Sequence, residues 1–440
     1  MTFSLKRSGS ACRFGREFAS AFSAACLMAA AATAIPAGPA EAQSRWRSET
    51  PDAPIQNLVR EWQPSFDATV TPRQLGAPQI DSAILSASTI PAMLGAINRY
   101  AAIASKGGWP AIPEGPALRV GMRDDRVLAL RRRLAVTGDL QQQAGNTRTF
   151  DSFVEHGVRR FQFRHGLNPD GVVGGDTLRA LNVPAFERLK QLRTNVVRIN
   201  TFMKDLPSSY LLVNIPGAEI EAVEGGVVVS RHTAIVGKPE RETPVLVSKV
   251  HELNFNPYWH VPVSIVERDI IPQMLKDPGY LERYVIRVYD QKGNEVDPKT
   301  IDWHTLDPEK YLFRQDPGED INSLGAVKLN FANKYAVFLH DTPQKKLFSE
   351  NARYYSSGCV RVQNIEQLIV WLLRDNDDGP WTRQKIESVI RSGERLDVAV
   401  KKPKPLYTVY ITAWASPNGL VHFRRDIYNR DIPGPTAAAN

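Results

Sequence analysis

Apolar positions recur along this 440-residue chain with two periods, and the change between them divides it. Up to about residue 203 the spacing is helical. "IDSAILSASTIPAMLGAINRYAAIA" predicts a helix with Ile84, Leu85, Leu94, Ile97 and Ile103 as core candidates. "KGGWPAIPEGP" (106–116) then interrupts any regular element. "RDDRVLALRRRLAVTG" places Val127, Leu130 and Leu134 on one helical face, and "FDSFVEHGVRRFQFRHG" does the same with Val154, Val158 and Phe161. Asp170-Gly171 and Gly174-Gly175 predict turns, and Asp176 or Thr177 is placed to start a short third helix. "RLKQLRTNVVRINTFM" (188–203) predicts a connecting helix.

From Tyr210 the pattern is that of strands. "YLLVNIPG", "EIEAVEGGVVVSRHTAIVG", "PVLVSKVHELNFNP", "GAVKLNF" and "YAVFLHD" are rich in Val, Ile and Leu and separated by turn residues, which predicts an antiparallel β unit. A mixed insert, 263–324, opens with the helical "VSIVERDIIPQML"; a connection of that length with its own structure suggests a lid. After the strands, "IEQLIVWLLRD" buries Ile365, Leu368, Ile369 and Leu372 on one face. Asn364, with Gln367 three residues on, fits its N-cap. The fold class expected is α+β: a helical N-terminal scaffold and three-helix module, then a mainly β domain with an inserted cap.

Composition adds the compartment. The first residues carry Lys6, Arg7, Arg13 and Arg16, then "FASAFSAACLMAAAATAI", then Pro36, Gly38, Pro39 and Ala40-Glu41-Ala42. That is the layout of a secretory signal with cleavage near Ala42; an uncleaved inner-membrane anchor is the other reading. Either places the protein in the periplasm or cell envelope. The net charge is +8, and about +6 without the leader, suited to weak attraction to an anionic polymer. Lys/Arg clusters interleaved with aromatics are not seen, so nucleic acid is not expected as a partner. Of three cysteines, Cys12 and Cys26 lie in the leader, which leaves Cys359. One thiol makes neither a disulfide framework nor a cysteine zinc site, and no His/carboxylate cluster has ligand spacing, so no metal and no cofactor are expected.

Cys359 stands in "YYSSGCVRVQN". A cysteine attacks carbonyls as thiolate and needs a base or a depressed pKa. His340, nineteen residues upstream at the end of a predicted strand, can supply the base if the polar segment between them folds back. His232, His251 and His260 also sit on the β unit. Gly358 permits a sharp turn before the thiol, and the backbone N–H groups at Ser357, Gly358 and Cys359 are candidates for an oxyanion site. Arg361 either holds a substrate carboxylate in bidentate fashion or pairs internally to fix the loop. Asn256, Tyr258, Trp259 and Phe338 are candidate groove residues.

Two resemblances sharpen this. "LRVGMRDDRVLALRRRL" and "VRRFQFRHGLNPDGVVGGDTLRALN" resemble the family-1 peptidoglycan-binding module, through Phe161-Gln162, Gly166-Leu167, Asp170-Gly171, Gly174, Thr177 and Ala180-Leu181. "HDTPQKKLFSENARYYSSGCVRVQN" resembles the active-site signature of the L,D-transpeptidase (YkuD-type) catalytic domain, with His340, Ser356, Gly358, Cys359, Arg361 and Asn364 matching. Ser357 and Asp341 stand where the commoner pattern has His and Gly, a form similar to the long YcbB-like branch, which also carries a binding module, a capping insert and a C-terminal piece.

The resemblance implies attack by Cys359 on a stem tetrapeptide, release of the terminal D-alanine through a thioester, and a 3→3 cross-link when the side-chain amine of a second stem attacks. His340 would move the protons. The partners implied are peptidoglycan stem peptides and glycan; no particular envelope protein is indicated. Acylation of Cys359 by carbapenems is a family expectation. Water as acceptor would make the protein an L,D-carboxypeptidase, and a buried, inert Cys359 would leave a non-catalytic wall-binding protein. The domains expected are a leader at 1–42, helical scaffold and linker at 43–115, binding module at 116–184, connecting helix at 185–209, catalytic domain at 210–395 (capping insert 263–324) and C-terminal extension at 396–440.

Overall fold

The computed structural model describes residues 82–141, 145–318, 320–376 and 379–431. The leader and residues 43–81 of the expected scaffold lie outside them, as do residues 432–440 of the extension. The first helix, α1 (Thr89–Ser105), buries Met93, Ala96 and Tyr100. Leu94 is 53% exposed and is not a core residue. The helix starts only at Thr89, so the inward stripe runs through Met93 and its i+3 and i+7 neighbours, with Leu94 turned about 100° away. Ile84 and Leu85 precede the helix and are buried all the same.

The three-helix module consists of α2 (Arg126–Val136), α3 (Ser152–Arg164) and α4 (Gly175–Asn182). Val127, Leu130, Leu134, Val154, Val158, Phe161 and Leu181 share one core. Asp151 caps α3, its carboxylate accepting from Val154 N at 3.1 Å. Helix α4 starts differently from expectation. Its N-cap is Gly174, without a side-chain cap. The Thr177 hydroxyl instead accepts from Gln162 Nε2 at 3.1 Å. Gln162 also donates to Asp170 Oδ1 (2.6 Å) and Val172 O (2.9 Å), while its Oε1 accepts from Gly171 N (2.9 Å). One buried amide therefore organises the Asp-Gly turn and the start of α4.

Helix α5 (Ala185–Met203) packs on α1 and leads into the β domain. The strands are β1 (Ser209–Asn214), β2 (Glu219–Glu224), β3 (Val227–Gly237), β4 (Leu246–Phe255), β9 (Val327–Phe331), β10 (Leu339–His340), β11 (Tyr354–Ser356), β12 (Val360–Val362) and β13 (Leu396–Val409). Their order is β11-β3-β12-β10-β9-β4-β13-β1-β2, and a further β2–β3 pairing closes the sheet on itself. The expectation of an antiparallel unit needs correcting: β1–β13, β10–β12 and β11–β3 are parallel. Long connections between these partners allow it, since parallel neighbours need crossovers rather than hairpins. The boundary at 395 is corrected too. Strand β13 lies between β4 and β1 inside the sheet, so residues 396–409 belong to the β domain.

Helix α6 (Ile365–Leu373) buries Ile365, Leu368, Ile369 and Leu372 in the same core as Val327, Leu329, Leu339, Val360 and Val362. Helix α7 (Arg383–Ser392) adds Ile386. Asn364 precedes α6 with φ 52° and makes no side-chain cap. Its use here is backbone tolerance, because Asn enters the left-handed region more easily than other non-glycine residues. The insert forms its own four-stranded sheet, β5 (Trp259–His260), β8 (Tyr311–Gln315), β6 (Ile286–Asp290) and β7 (Glu295–Val296), around Val266, Ile270, Met274, Val288 and Phe313. Its helical run 263–274 widens to a π turn at Val266–Ile270, ahead of Pro272. Proline has no N–H and crowds the carbonyl four residues back, which displaces the regular pattern. The last hairpin, β14 (Ala413–Ala415) and β15 (Val421–Phe423), ties the module to α1 and α5. Phe423 stacks on His165 with centroids 5.5 Å apart, and Arg424 Nη1 donates to Arg164 O at 3.2 Å.

Candidate active site

The site is set by strand alternation. In β9 the apolar Val327, Leu329 and Phe331 face the core, so Lys328 and Asn330 face the other way. In β10 and β12, Leu339 and Val360 point inward and pair in register, and His340 pairs with Arg361. His340 also pairs with Lys328 on its other side, and Lys328 with Asn254 of β4. Across four adjacent strands a polar row therefore runs Arg361, His340, Lys328, Asn254. Val360 N donates to Phe338 O at 3.0 Å, which brings Cys359 alongside Phe338 at one end of this row.

The turn before Cys359 is tightly held. Gly358 has φ 116°, a region closed to side-chain-bearing residues. Its N–H donates to Ser356 Oγ at 3.1 Å, and the Ser356 hydroxyl donates to Cys359 O. Thr243 Oγ1 donates to Gly358 O at 2.9 Å while accepting from Gly237 N at 2.9 Å. Tyr428 OH accepts from Thr243 N (3.1 Å) and donates to Gly237 O (2.7 Å). A residue near the C-terminal end thus buttresses the loop of the thiol. This corrects one expectation: the Gly358 amide is already engaged and is not a free oxyanion donor. Ser357 is exposed, and its Oγ accepts from Arg241 Nη1 at 2.9 Å. Arg241 in turn pairs with Asp269 of the insert, so the insert is latched to the loop of Cys359.

His340 is buried, and its Nδ1 lies 2.5 Å from Asp341 O. A carbonyl can only accept, so Nδ1 carries the proton and Nε2 keeps its lone pair. Burial first, and then the Arg361 and Lys328 charges, push the imidazole down to about 3, so it is neutral at physiological pH. Asp341 is held by its N–H to Val327 O (2.9 Å), by Ala326 N donating to Oδ2 (3.1 Å) and by an ion pair to Lys345. Burial pushes the Cys359 thiol up to about 11, against a backbone hydrogen bond at Phe338 and the charges of Lys328 and Arg361, which favour thiolate. Thiol and imidazole share a face without a hydrogen bond between them. The resting pair is neutral.

Arg361 is half-buried. It donates to Gln344 Oε1 at 2.7 Å, has no carboxylate partner among the described residues, and its Nε is buried without an acceptor. Of the candidate groove residues, Phe338 lies beside His340, with ring centroids 5.6 Å apart. Asn256 is structural: its Nδ2 donates to Val389 O and Glu394 O, both at 2.9 Å. Trp259 packs in the core of the insert, and Tyr258 lies under Arg314. His232 is also structural, bonded to Gln363 O and Ser230 Oγ. The sequence reading missed Lys328, Thr243, Tyr428 and the Arg241–Asp269 pair. Only Lys328 had a local signal, as a cation on the polar phase of "GAVKLNF". Among the described residues no three His, Cys, Asp or Glu side chains gather as a metal site.

Two stretches of the chain are similar to known protein families. Residues 208–390 match the YkuD family, described as "L,D-transpeptidase catalytic domain", and residues 123–181 match a family described as "Putative peptidoglycan binding domain". A Haemophilus influenzae protein named "Putative L,D-transpeptidase" is 34% identical over 222 residues, which is 50% of this chain and 44% of that protein. The chain thus spans less than half the length of that relative. General secretion pathway protein A of Aeromonas hydrophila is 39% identical over 67 residues, 15% of this chain and 12% of that one. Solved L,D-transpeptidases from Xylanimonas cellulosilytica (16% identity, 67% and 98% of the two chains, TM-score 0.22) and Stackebrandtia nassauensis (12%, 68% and 96%, 0.26) resemble it at a level that carries no argument by itself. Residues 208–390 thus match a YkuD-type L,D-transpeptidase catalytic domain, and residues 123–181 match a peptidoglycan-binding module.

Proposed function

We propose that Cys359 is the nucleophile of a peptidoglycan L,D-transpeptidation that forms 3→3 cross-links. The observation that carries this reading is the position of Cys359 beside a neutral His340 whose Nδ1–H is committed to Asp341 O. That tautomer leaves Nε2 as the proton acceptor. Substrate binding excludes water and brings imidazole and thiol together. The thiol proton passes to Nε2 as sulfur attacks the stem-peptide carbonyl, and His340 then protonates the departing D-alanine amine. The product is a thioester on Cys359. A second stem's side-chain amine attacks it, loses a proton to His340 and returns the thiol. Arg361, with no carboxylate partner among the described residues, suits the carboxylate of the donor. The binding module would hold the glycan, and residues 1–42 would direct export to the periplasm or cell envelope.

The test is mass spectrometry of the purified chain without residues 1–42, mixed with a disaccharide-tetrapeptide. A Cys359 adduct with cross-linked dimers lacking one D-alanine is expected. Tripeptide without dimers would make water the acceptor and the protein an L,D-carboxypeptidase. A folded protein that binds sacculi yet forms neither adduct nor product would sink the catalytic reading.

A further inference from the structure

Lys328 is a cation without a carboxylate in an ion pair among the described residues. It is half-buried on the polar face of β9, directly across from His340, as Arg361 is on the other side. Its Nζ lies 4.5 Å from the centroid of the Phe338 ring, and that ring flanks His340 and the position of Cys359. Charged and titratable groups surround it: Cys359, His340 and Arg361 from β10, β12 and the preceding turn, Glu252 from β4, Asp397 from β13, Arg395, and His260 from the insert. The two carboxylates are otherwise engaged. Glu252 accepts from Asn254 and Asn330, each at 3.0 Å, and Asp397 accepts from Asn254 at 2.7 Å and pairs with Arg395. Lys328 forms no ion pair with either among the described residues.

A partly dehydrated ammonium held over an aromatic ring is an incomplete site; an incoming anion would complete it. We infer that Lys328 is a substrate-positioning residue that, with Arg361 on the far side of His340, receives the carboxylate of the acyl donor and seats its carbonyl at Cys359. This rests on the transpeptidase reading for the identity of the donor. The placement of two cations around the thiol stands apart from it. Burial depresses the Lys328 ammonium, and the Cys359 thiolate would lift it, so the ammonium and the sulfur sense each other. The inference also gives the site a selectivity: a donor ending in a free carboxylate is favoured over the same peptide ending in an amide.

The experiment compares alkylation of Cys359 by iodoacetate, which carries a carboxylate, with that by iodoacetamide, its neutral counterpart, in the full chain. Wild type, Lys328→Met and Lys328→Arg are measured at one pH. The expected result is a rate ratio for iodoacetate over iodoacetamide that falls about tenfold in Lys328→Met and returns in Lys328→Arg. An unchanged ratio in Lys328→Met overturns the inference. So does an equal fall in both variants, which would mark packing rather than charge. Lys328→Gln with matched thermal unfolding serves if the methionine variant folds poorly. In turnover, Lys328→Met raises KM for the tetrapeptide acid by a similar factor and leaves KM for its C-terminal amide unchanged; equal effects on both overturn it. If wild type turns over neither peptide, the proposed reaction fails while the alkylation ratio still decides whether Lys328 forms an anion site at the thiol.

Discussion

Replacing Ser356 with alanine tests the architecture of the Cys359 loop directly. The buried hydroxyl accepts from Gly358 N at 3.1 Å and donates to Cys359 O. Alanine fills nearly the same space and removes both bonds. The Gly358 amide is buried and the Cys359 carbonyl partly so, and each group left without a partner costs about 1–3 kcal/mol. The summed destabilisation is therefore about 2–6 kcal/mol, reduced where water reaches the carbonyl. Gly358 sits at φ 116°, and of its own two backbone bonds the one from Thr243 Oγ1 to Gly358 O then remains. Acylation of Cys359 should fall by more than tenfold, because the thiol is no longer fixed against Phe338. Urea unfolding gives the first quantity, and intact-protein mass spectrometry of acyl-enzyme formation gives the second. A loss of stability below about 0.5 kcal/mol together with an unchanged acylation rate would refute the claim that this hydroxyl organises the turn.

Other perturbations probe the surroundings. Because burial holds the Cys359 thiol up to about 11, iodoacetamide alkylation of the resting protein should climb steadily from pH 6 to 9; a plateau below pH 8 would instead reveal a preformed ion pair. His232 is pushed down to about 4 by burial, so the folded state binds fewer protons than the unfolded chain between about 6.5 and 4. Its contribution, about 3 kcal/mol, is present above 6.5 and lost as pH falls through 4. His232→Gln should flatten the dependence of the urea midpoint on pH over that window, and an equal slope in both proteins argues against it. Gly325 has φ 60°, and a Cβ there would lie 2.7 Å from Thr342 N and closer still to the Asp341 carboxylate. Gly325→Ala should displace Asp341, whose carbonyl orients His340, and lower acylation more than it lowers stability; normal kcat would contradict this. Asp269→Asn unlatches the insert from Arg241 and Ser357. A partly exposed pair of this kind changes stability by only about 0.5–1 kcal/mol, while faster hydrogen exchange in 263–274 is expected, and unchanged exchange would remove the latch.

Periodicity within single segments was legible along the chain. The stripes Val127, Leu130, Leu134 and Ile365, Leu368, Ile369, Leu372 are buried as their spacing requires, because a helix repeats every 3.6 residues whatever it packs against. The helix-then-β order and the inserted cap followed from the change of period. Local rules failed where a distant partner decided the outcome. Leu94 sits in a good helical pattern, but where α1 starts and what it packs on turn it outward. Asn364 has the sequence of a cap and the backbone of a left-handed turn. Strand β13 reads as a C-terminal appendage, yet it fills the gap between β4 and β1.

The same division runs through the site. The sequence alone determined that one thiol follows a glycine, that a histidine ends a strand nineteen residues earlier, and that an arginine stands two residues beyond. It also determined which strand phase is polar, since alternation is a property of the chain itself. Only the tertiary structure decided that β9, β10 and β12 are neighbours in a register that lines up Lys328, His340 and Arg361. The parallel β10–β12 pairing joins residues twenty-one apart in sequence, through a loop whose closure depends on Ser356, Thr243 and Tyr428 from three separate regions. Register of that kind is set by packing of the opposite, apolar face, which no segment can complete alone.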